Sequence, residues 1–596
     1  MIADVTRYGA VGDGITDCTA AFAQAVEACK KAGGGTVTVP AGDYVSGTVR
    51  LYSGVYLELQ PGSRILGSRK WADYTGTKRG CAWKNDIARL INPKIAADEL
   101  VNPCRALVLC EDAEHVGIFG PGTLDGRRGT AYSGDPEAGN PFLVVFSHCR
   151  DVRLQDVQMT DPGSFTNYLL GCEDVNIRGL RIDSARTPCG DGIDFDGGRN
   201  VVISGCIINA GDDGIGLKTL SPDEPCERFE ISDCIIRSKY WGCVRLGPET
   251  CGDMRYVSVR NCTFYDSNDG IKLQNCEEYT FEHLSFTGLT MDRVVRPFFI
   301  TQSHYAFSLH SHGVRPPLGW MRHILFSDIN ARVDAYRTEV EGAQPGCVAY
   351  ALPGSTIEGL TVRNVRLEIP GGGTPEQAAR ADQPDMLDYV QQYPESCVAI
   401  GVPPAAALYL RGLYRSELGG ISVSPDQPDA RAAIVAERCD GLRIGPVFAP
   451  DCGADLRAHD GTDLSYAEGS LRVLDLTPEG KDAYRKARKE ALDTDRRMEG
   501  IASLYDRVRG QAPYAVLDTV KPGTGDFRKG DVLILPFTPV PVRVTLDGEE
   551  VGTLDYPAPY RTLTKYALVL PRDGSSLQVF SGRSGQALLY RSGTGD

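Results

Sequence analysis

Between Arg150 and Phe286 the chain alternates apolar and polar residues in short runs that return at a fixed interval. The segments RDVRLQDVQM, EDVNIRGLRI, RNVVISGCII, ERFEISDCII, YVSVRNCTF and EYTFEHLSF share one pattern. Aligning Val152, Val175, Val201, Phe229, Val257 and Tyr279 gives spacings of 23, 26, 28, 28 and 22 residues. Five residues after each stands another small or medium apolar residue: Val157, Leu180, Cys206, Cys234, Cys262 and Leu284. One such residue per repeat is what an interior ladder needs when successive coils stack, and it is the signature of a solenoid. The runs are β-branched, period two, and punctuated by Gly, Asn and Asp, so the coils are read as strands. The fold class predicted is all-β, a parallel β-helix.

An open solenoid end would expose apolar surface and unpaired strand edges, so caps are expected. At the N-terminus, DCTAAFAQAVEACKKAGGG (Asp17–Gly35) fits an amphipathic helix with Phe22, Val26 and Cys29 on its apolar face and glycines ending it. Toward the other end the coil pattern fades near Val447. A mixed-charge, helical pattern follows from about Pro478 to Arg509, then short strands with a hairpin signal at LDGEE. The expected organisation is a β-helix over 1–455, a helical linker over 456–512 and a small C-terminal β-sandwich over 513–596.

Charge and cysteine usage narrow the function classes. The chain of 596 residues has a net charge of -15 and a pI near 5.2, which speaks against a nucleic-acid surface. It has no apolar run long enough for a membrane span. The N-terminus lacks the pattern of a signal peptide, so a cytoplasmic location is expected. The nineteen cysteines are then read as reduced, buried thiols, three of them already placed in the ladder. No CxxC pair or zinc spacing occurs, and neither a metal nor a cofactor is expected.

Candidate chemistry sits on a second set of matching strands: DGIDF at Asp191, DGIGL at Asp213, GCVRL at Gly242 and DGIKL at Asp269. Their alignment stacks Asp191, Asp213, Gly242 and Asp269 in one column and Asp194, Gly216, Arg245 and Lys272 in another. Adjacent strands lie about 4.8 Å apart, so Asp191 and Asp213 become neighbours, with Asp212 beside them. Any single Asp-Gly here would pass for a turn pair. Three crowded carboxylates repel one another and are usually kept for function or for a cation such as calcium. Trp241, beside Gly242, offers either a ring for a sugar or simple packing. His304 lies in a histidine-rich segment, ITQSHYAFSLHSHG, that could line a groove.

The order GDGID, GDDGIGLK, a Gly-containing strand and DGIKLQ resembles glycoside hydrolase family 28, the polygalacturonase-like enzymes. So do TRYGAVGDGITDCTAAFAQAV, LYSGVYLELQPGSRILGS and GPGTLDG. IPGGGTPEQAA, YPES and LYLRG resemble its bacterial branch. The resemblance spans about residues 4–450. It implies a right-handed β-helix that hydrolyses glycosidic bonds with inversion, Asp212 matching the general acid and Asp191 and Asp213 the pair that activates water. It departs from the family at Gly242, where the pattern has histidine, and at the Arg-x-Lys carboxylate clamp, which reads Lys272 and Gln274 here. Arg245, on the preceding coil, stands where a small residue is usual and could restore the charge. Substrate contacts are therefore expected from Arg245, Lys272, Gln274, Trp241 and His304.

The reading favours an exo-acting hydrolase of plant cell-wall oligosaccharides, pectic, rhamnogalacturonan-type or related, whose partner is that substrate; a homo-oligomer is left open. A β-helix lyase or epimerase, and a carbohydrate-binding β-helix without catalysis, are the alternatives. Whether the sugar is acidic or neutral is open at this stage.

Overall fold

The computed structural model describes residues 1–78, 104–127, 140–302, 318–334, 345–352, 355–379, 403–459, 462–467, 469–473, 504, 507–508, 513–518, 521–539, 542–554, 563–580 and 586–591. From Ile2–Asp4 to Leu464–Ser465 the strands join one continuous ladder in which every pairing is parallel. It is a right-handed parallel β-helix. Each strand turns alternate side chains inward, and Val152, Val175, Val201, Phe229 and Val257 pair in register along the axis. All five are at most 2% exposed. Burying an aliphatic side chain of this size contributes roughly 1.5–3 kcal/mol, and the ladder repeats that gain at every coil.

The corner before each inward residue is turned by a left-handed residue. Asp151, Asp174, Asn200, Arg228, Tyr256 and His283 have φ between 50° and 61°, and each immediately precedes a ladder position. This corner corrects one expectation. The partner of Val257 is Leu284, not Tyr279, and the ladder residue beyond Cys262 is Leu289, 1% exposed. The coil is longer than the alignment supposed: its strand, Thr280–Gln302, starts after Tyr279, and Phe281 pairs with Met254. The ladder of Cys206, Cys234 and Cys262 is buried as expected.

The N-terminal cap is the helix Thr19–Lys31, which buries Ala21, Phe22, Ala25, Val26 and Cys29 against the first coils and ends at Gly33 and Gly34, both at positive φ. No described helix is long and apolar enough to cross a membrane. At the other end the solenoid continues past the expected limit at 455, through Cys452–His459 and Leu464–Ser465. Ala432↔Ala454 and Ile434↔Leu456 pair there in the usual register. The helical reading of 478–509 lies almost wholly outside the described residues. From Ala515 to Tyr590 the chain forms two four-stranded antiparallel sheets. The LDGEE hairpin turns at Asp547 and Gly548, with φ of 52° and 83°, a primed turn that suits the strand twist.

Candidate active site

The matching strands place their aspartates and cations on the outer face of the sheet because the alternate residues are committed to the core. Ile193, Phe195, Ile215, Leu217, Val244, Leu246, Ile271 and Leu273 all face the interior cluster. Asp194, Gly216, Arg245 and Lys272 therefore share the outer face, and they pair in consecutive register as the alignment expected. Gly242 pairs with Asp269. Asp191 and Asp213 lie at the entrances of their strands, where the Gly192 N–H donates to the Asp213 carbonyl at 2.9 Å.

Each of the two buried aspartates has its own cation. Lys218 donates to Asp191 Oδ2 at 3.0 Å and lies 3.4 Å from Asp194 Oδ1. The Arg245 guanidinium meets Asp213 Oδ2 at 3.2 Å, and the Gly242 N–H donates to Asp213 Oδ1 at 3.2 Å. Gln274 accepts from Arg245 at 2.8 Å and so fixes the guanidinium. Asp191 and Asp213 are 2% and 1% exposed. Asp212 is half-buried at the mouth of the site. Its carbonyl accepts from the Ser238 hydroxyl at 2.6 Å, and the same hydroxyl accepts the Trp241 N–H at 3.0 Å. Ser238 thus ties the acid's backbone to the tryptophan. The Trp241 ring packs on Val295 and lies 4.7 Å from Lys272 Nζ. Lys272 is fully buried and 3.6 Å from Asp269 Oδ2. His304 lies outside the described residues.

Protonation follows from this crowding. Burial, and then the charge of Asp191, push Asp194 well above the ordinary carboxylate range. Burial alone would lower Lys218, but the charges of Asp191 and Asp194 outweigh it and hold the ammonium well above its ordinary value. Gly216 is required beneath Asp194, since a Cβ there would lie 1.9 Å from Oδ1.

Two residues further along the strand of Asp194, burial and then Glu224 push Asp196 up to about 7, although it accepts the Leu220 N–H at 2.9 Å and the Tyr168 hydroxyl at 3.2 Å. A carboxyl raised in the folded state stabilises fully below its unfolded value, near 4, and that contribution is lost as pH rises toward 7. Asp196→Asn, which keeps an acceptor oxygen, is therefore expected to leave the melting temperature nearly unchanged at pH 4 and to raise it relative to wild type at pH 8. Melting curves at the two pH values check this, and an equal effect at both would exclude the titration.

Alternation and coil period carry signals for residues beyond those the alignment proposed. Lys218 stands two residues past Gly216, on the same outer face. Arg296 follows Asp269 by one coil and pairs with it in register. Ser238 carries no comparable signal, because its role runs through a backbone carbonyl on the neighbouring coil. Chemically, the site offers two neighbouring carboxyl groups, each beside a fixed cation, and a third, less buried carboxyl on the same coil as one of them. Such a set can hold and polarise a water molecule on one side of a bond and deliver a proton on the other.

Residues 68–342 match the family described as Glycosyl hydrolases family 28. Residues 2–58 match the one described as Rhamnogalacturonase A/epimerase, pectate lyase-like. Over 303 residues the chain is 28% identical to a probable polygalacturonase of Arabidopsis thaliana, covering 50% of this chain and 60% of that protein. Over 325 residues it is 22% identical to an exo-poly-alpha-D-galacturonosidase of Dickeya chrysanthemi, covering 46% and 52%. The chain thus spans somewhat over half the length of these two relatives. In structure it is similar to the family 28 exopolygalacturonase of Yersinia enterocolitica, with a TM-score of 0.54 and 17% identity over 74% of this chain and 78% of that one, a likeness of fold.

Proposed function

We propose that the chain, whose residues 68–342 match the family described as Glycosyl hydrolases family 28, is a glycoside hydrolase of that family and hydrolyses glycosidic bonds of plant cell-wall oligosaccharides, pectic, rhamnogalacturonan-type or related, with inversion. The observation that carries this reading is the pair of neighbouring buried aspartates, each with its own cation, beside the more exposed Asp212. Lys218 and Arg245 hold the Asp191 and Asp213 carboxylates in place, which suits the pair to hold and deprotonate the attacking water. Asp212 protonates the leaving oxygen. A fixed sheet supports all three, so little reorganisation accompanies the reaction.

Removal of terminal sugars is part of the proposal. Buried aromatic clusters occur on coils before and after the acids, with Phe142, Phe165 and Tyr168, at most 7% exposed, on one side and Phe299, Tyr350 and Tyr409, all fully buried, on the other; a site bounded on both sides would suit a chain end better than a continuous polymer. A cytoplasmic location, with short oligosaccharides as substrates, is supported by the thiol-rich interior.

Proton NMR of the first product, before mutarotation, is expected to show the anomer opposite to that of the substrate. A retained anomer would exclude single displacement. An unsaturated, ultraviolet-absorbing product would instead identify a lyase.

A further inference from the structure

We propose that the sugar held at the acids is a neutral pyranose, and that Asp269 sets this preference by occupying the cations that would otherwise grip a carboxylate. The inference rests on the hydrolase reading above. Four buried cations lie on this part of the outer face: Lys218, Arg245, Lys272 and Arg296. Each already has a carboxylate partner. Lys218 is held by Asp191 at 3.0 Å and Asp194 at 3.4 Å, and Arg245 by Asp213 at 3.2 Å. Arg296 grips Asp269 through two bonds, Nε to Oδ1 at 2.5 Å and Nη2 to Oδ2 at 2.7 Å. Lys272 shares Asp269 at 3.6 Å.

The two cations nearest Asp269 are also covered. Lys272 lies against the Trp241 ring, and Arg296 lies over the Phe299 ring at 4.1 Å. Asp191, Asp213, Asp269 and Glu249, which is 2% exposed and whose charge reaches Lys218, balance the four positive charges without Asp194, whose carboxyl is pushed toward its neutral form. A uronate would bring one more negative charge into a poorly solvated site where these four cations, among the described residues, are already matched by carboxylates, and like charges there repel strongly. Hydroxyl groups meet the opposite situation. Asp191 Oδ1 accepts no hydrogen bond among the described residues, and a sugar hydroxyl, or a water it displaces, can donate to it. A charge-balanced, acceptor-rich pocket of this kind selects hydroxyls over carboxylates.

The test compares a galacturonic-acid oligosaccharide with its carboxyl-reduced, neutral counterpart of the same linkage. Hydrolysis is measured with the wild-type protein, and binding by calorimetry with Asp212→Asn. The neutral compound is expected to be favoured about tenfold or more in kcat/KM. Asp269→Asn, which releases Arg296 and Lys272, is expected to move that ratio toward the acidic compound by about tenfold, while Asp269→Glu keeps the wild-type preference. A merely structural role would lower both rates together and leave the ratio alone. A wild-type preference for the acidic compound, or a ratio unmoved in a folded Asp269→Asn protein, overturns the proposal. If that variant does not fold, the wild-type ratio decides. Neutral-selective binding without hydrolysis would uphold the charge assignment and sink the hydrolase reading. Binding of neither compound would overturn the assignment.

Discussion

Asp212→Asn is expected to lower kcat by at least about a thousandfold, the upper part of the range for a lost general acid, and to leave the melting temperature close to that of the wild type. The two halves of this expectation have separate causes. The carboxyl supplies the proton, and asparagine of the same shape cannot. The Asp212 carbonyl accepts the Ser238 hydroxyl at 2.6 Å, and the substitution leaves that backbone bond intact. Asp191→Asn and Asp213→Asn should behave differently. Each neutralises the partner of a buried cation, Lys218 or Arg245, so stability falls along with activity. Turnover measured beside melting curves for the three variants separates the roles. Near-normal turnover by Asp212→Asn would remove it as the acid.

The second large effect is expected from Lys218→Met. Methionine keeps much of the packing against the Phe165 ring, from which Nζ lies 4.5 Å, but removes the cation between Asp191 and Asp194. Breaking a buried ion pair by removing one partner costs about 3–5 kcal/mol. Without the ammonium Asp194, already raised by burial and the charge of Asp191, loses the opposing charge that lowers it, so its folded-state affinity for protons rises further. A carboxyl raised in this way destabilises the fold as pH climbs above its unfolded value. The loss in melting temperature should therefore be small at pH 4 and large at pH 8. Activity should fall sharply, because Asp191 loses the ammonium that holds its carboxylate in place. A pH-independent loss with normal turnover would show that the lysine only fills space.

Much of this arrangement was legible in the chain because two periods coincide. The coil period set Asp194, Gly216, Arg245 and Lys272 in one column, and strand alternation put them on the face opposite Ile193, Ile215, Val244 and Ile271. The alignment failed where coil length changed. Tyr279 looked like an anchor by its place in EYTFEHLSF, but the left-handed corner falls at His283, so Leu284 takes the ladder position. The limit placed at 455 failed for a related reason. Strands built on alanine, such as Ala432 opposite Ala454, carry little hydrophobic contrast. The consumption of the cations was hidden for another reason: the Arg296–Asp269 bond joins residues 27 positions apart, and no local pattern distinguishes a lysine that faces a substrate from one committed to a neighbouring coil.

The strict inward–outward division of each strand has a genetic consequence. Over residues 193–196 and 215–218, odd and even positions answer to different selective pressures. Ile193, Phe195, Ile215 and Leu217 need only satisfy the volume of the coils above and below. Asp194, Asp196, Gly216 and Lys218 answer to charge and to whatever enters the pocket. A library that randomises only the outer positions of these strands leaves the inner scaffold untouched, so new specificities can be searched for without first rebuilding the protein that displays them.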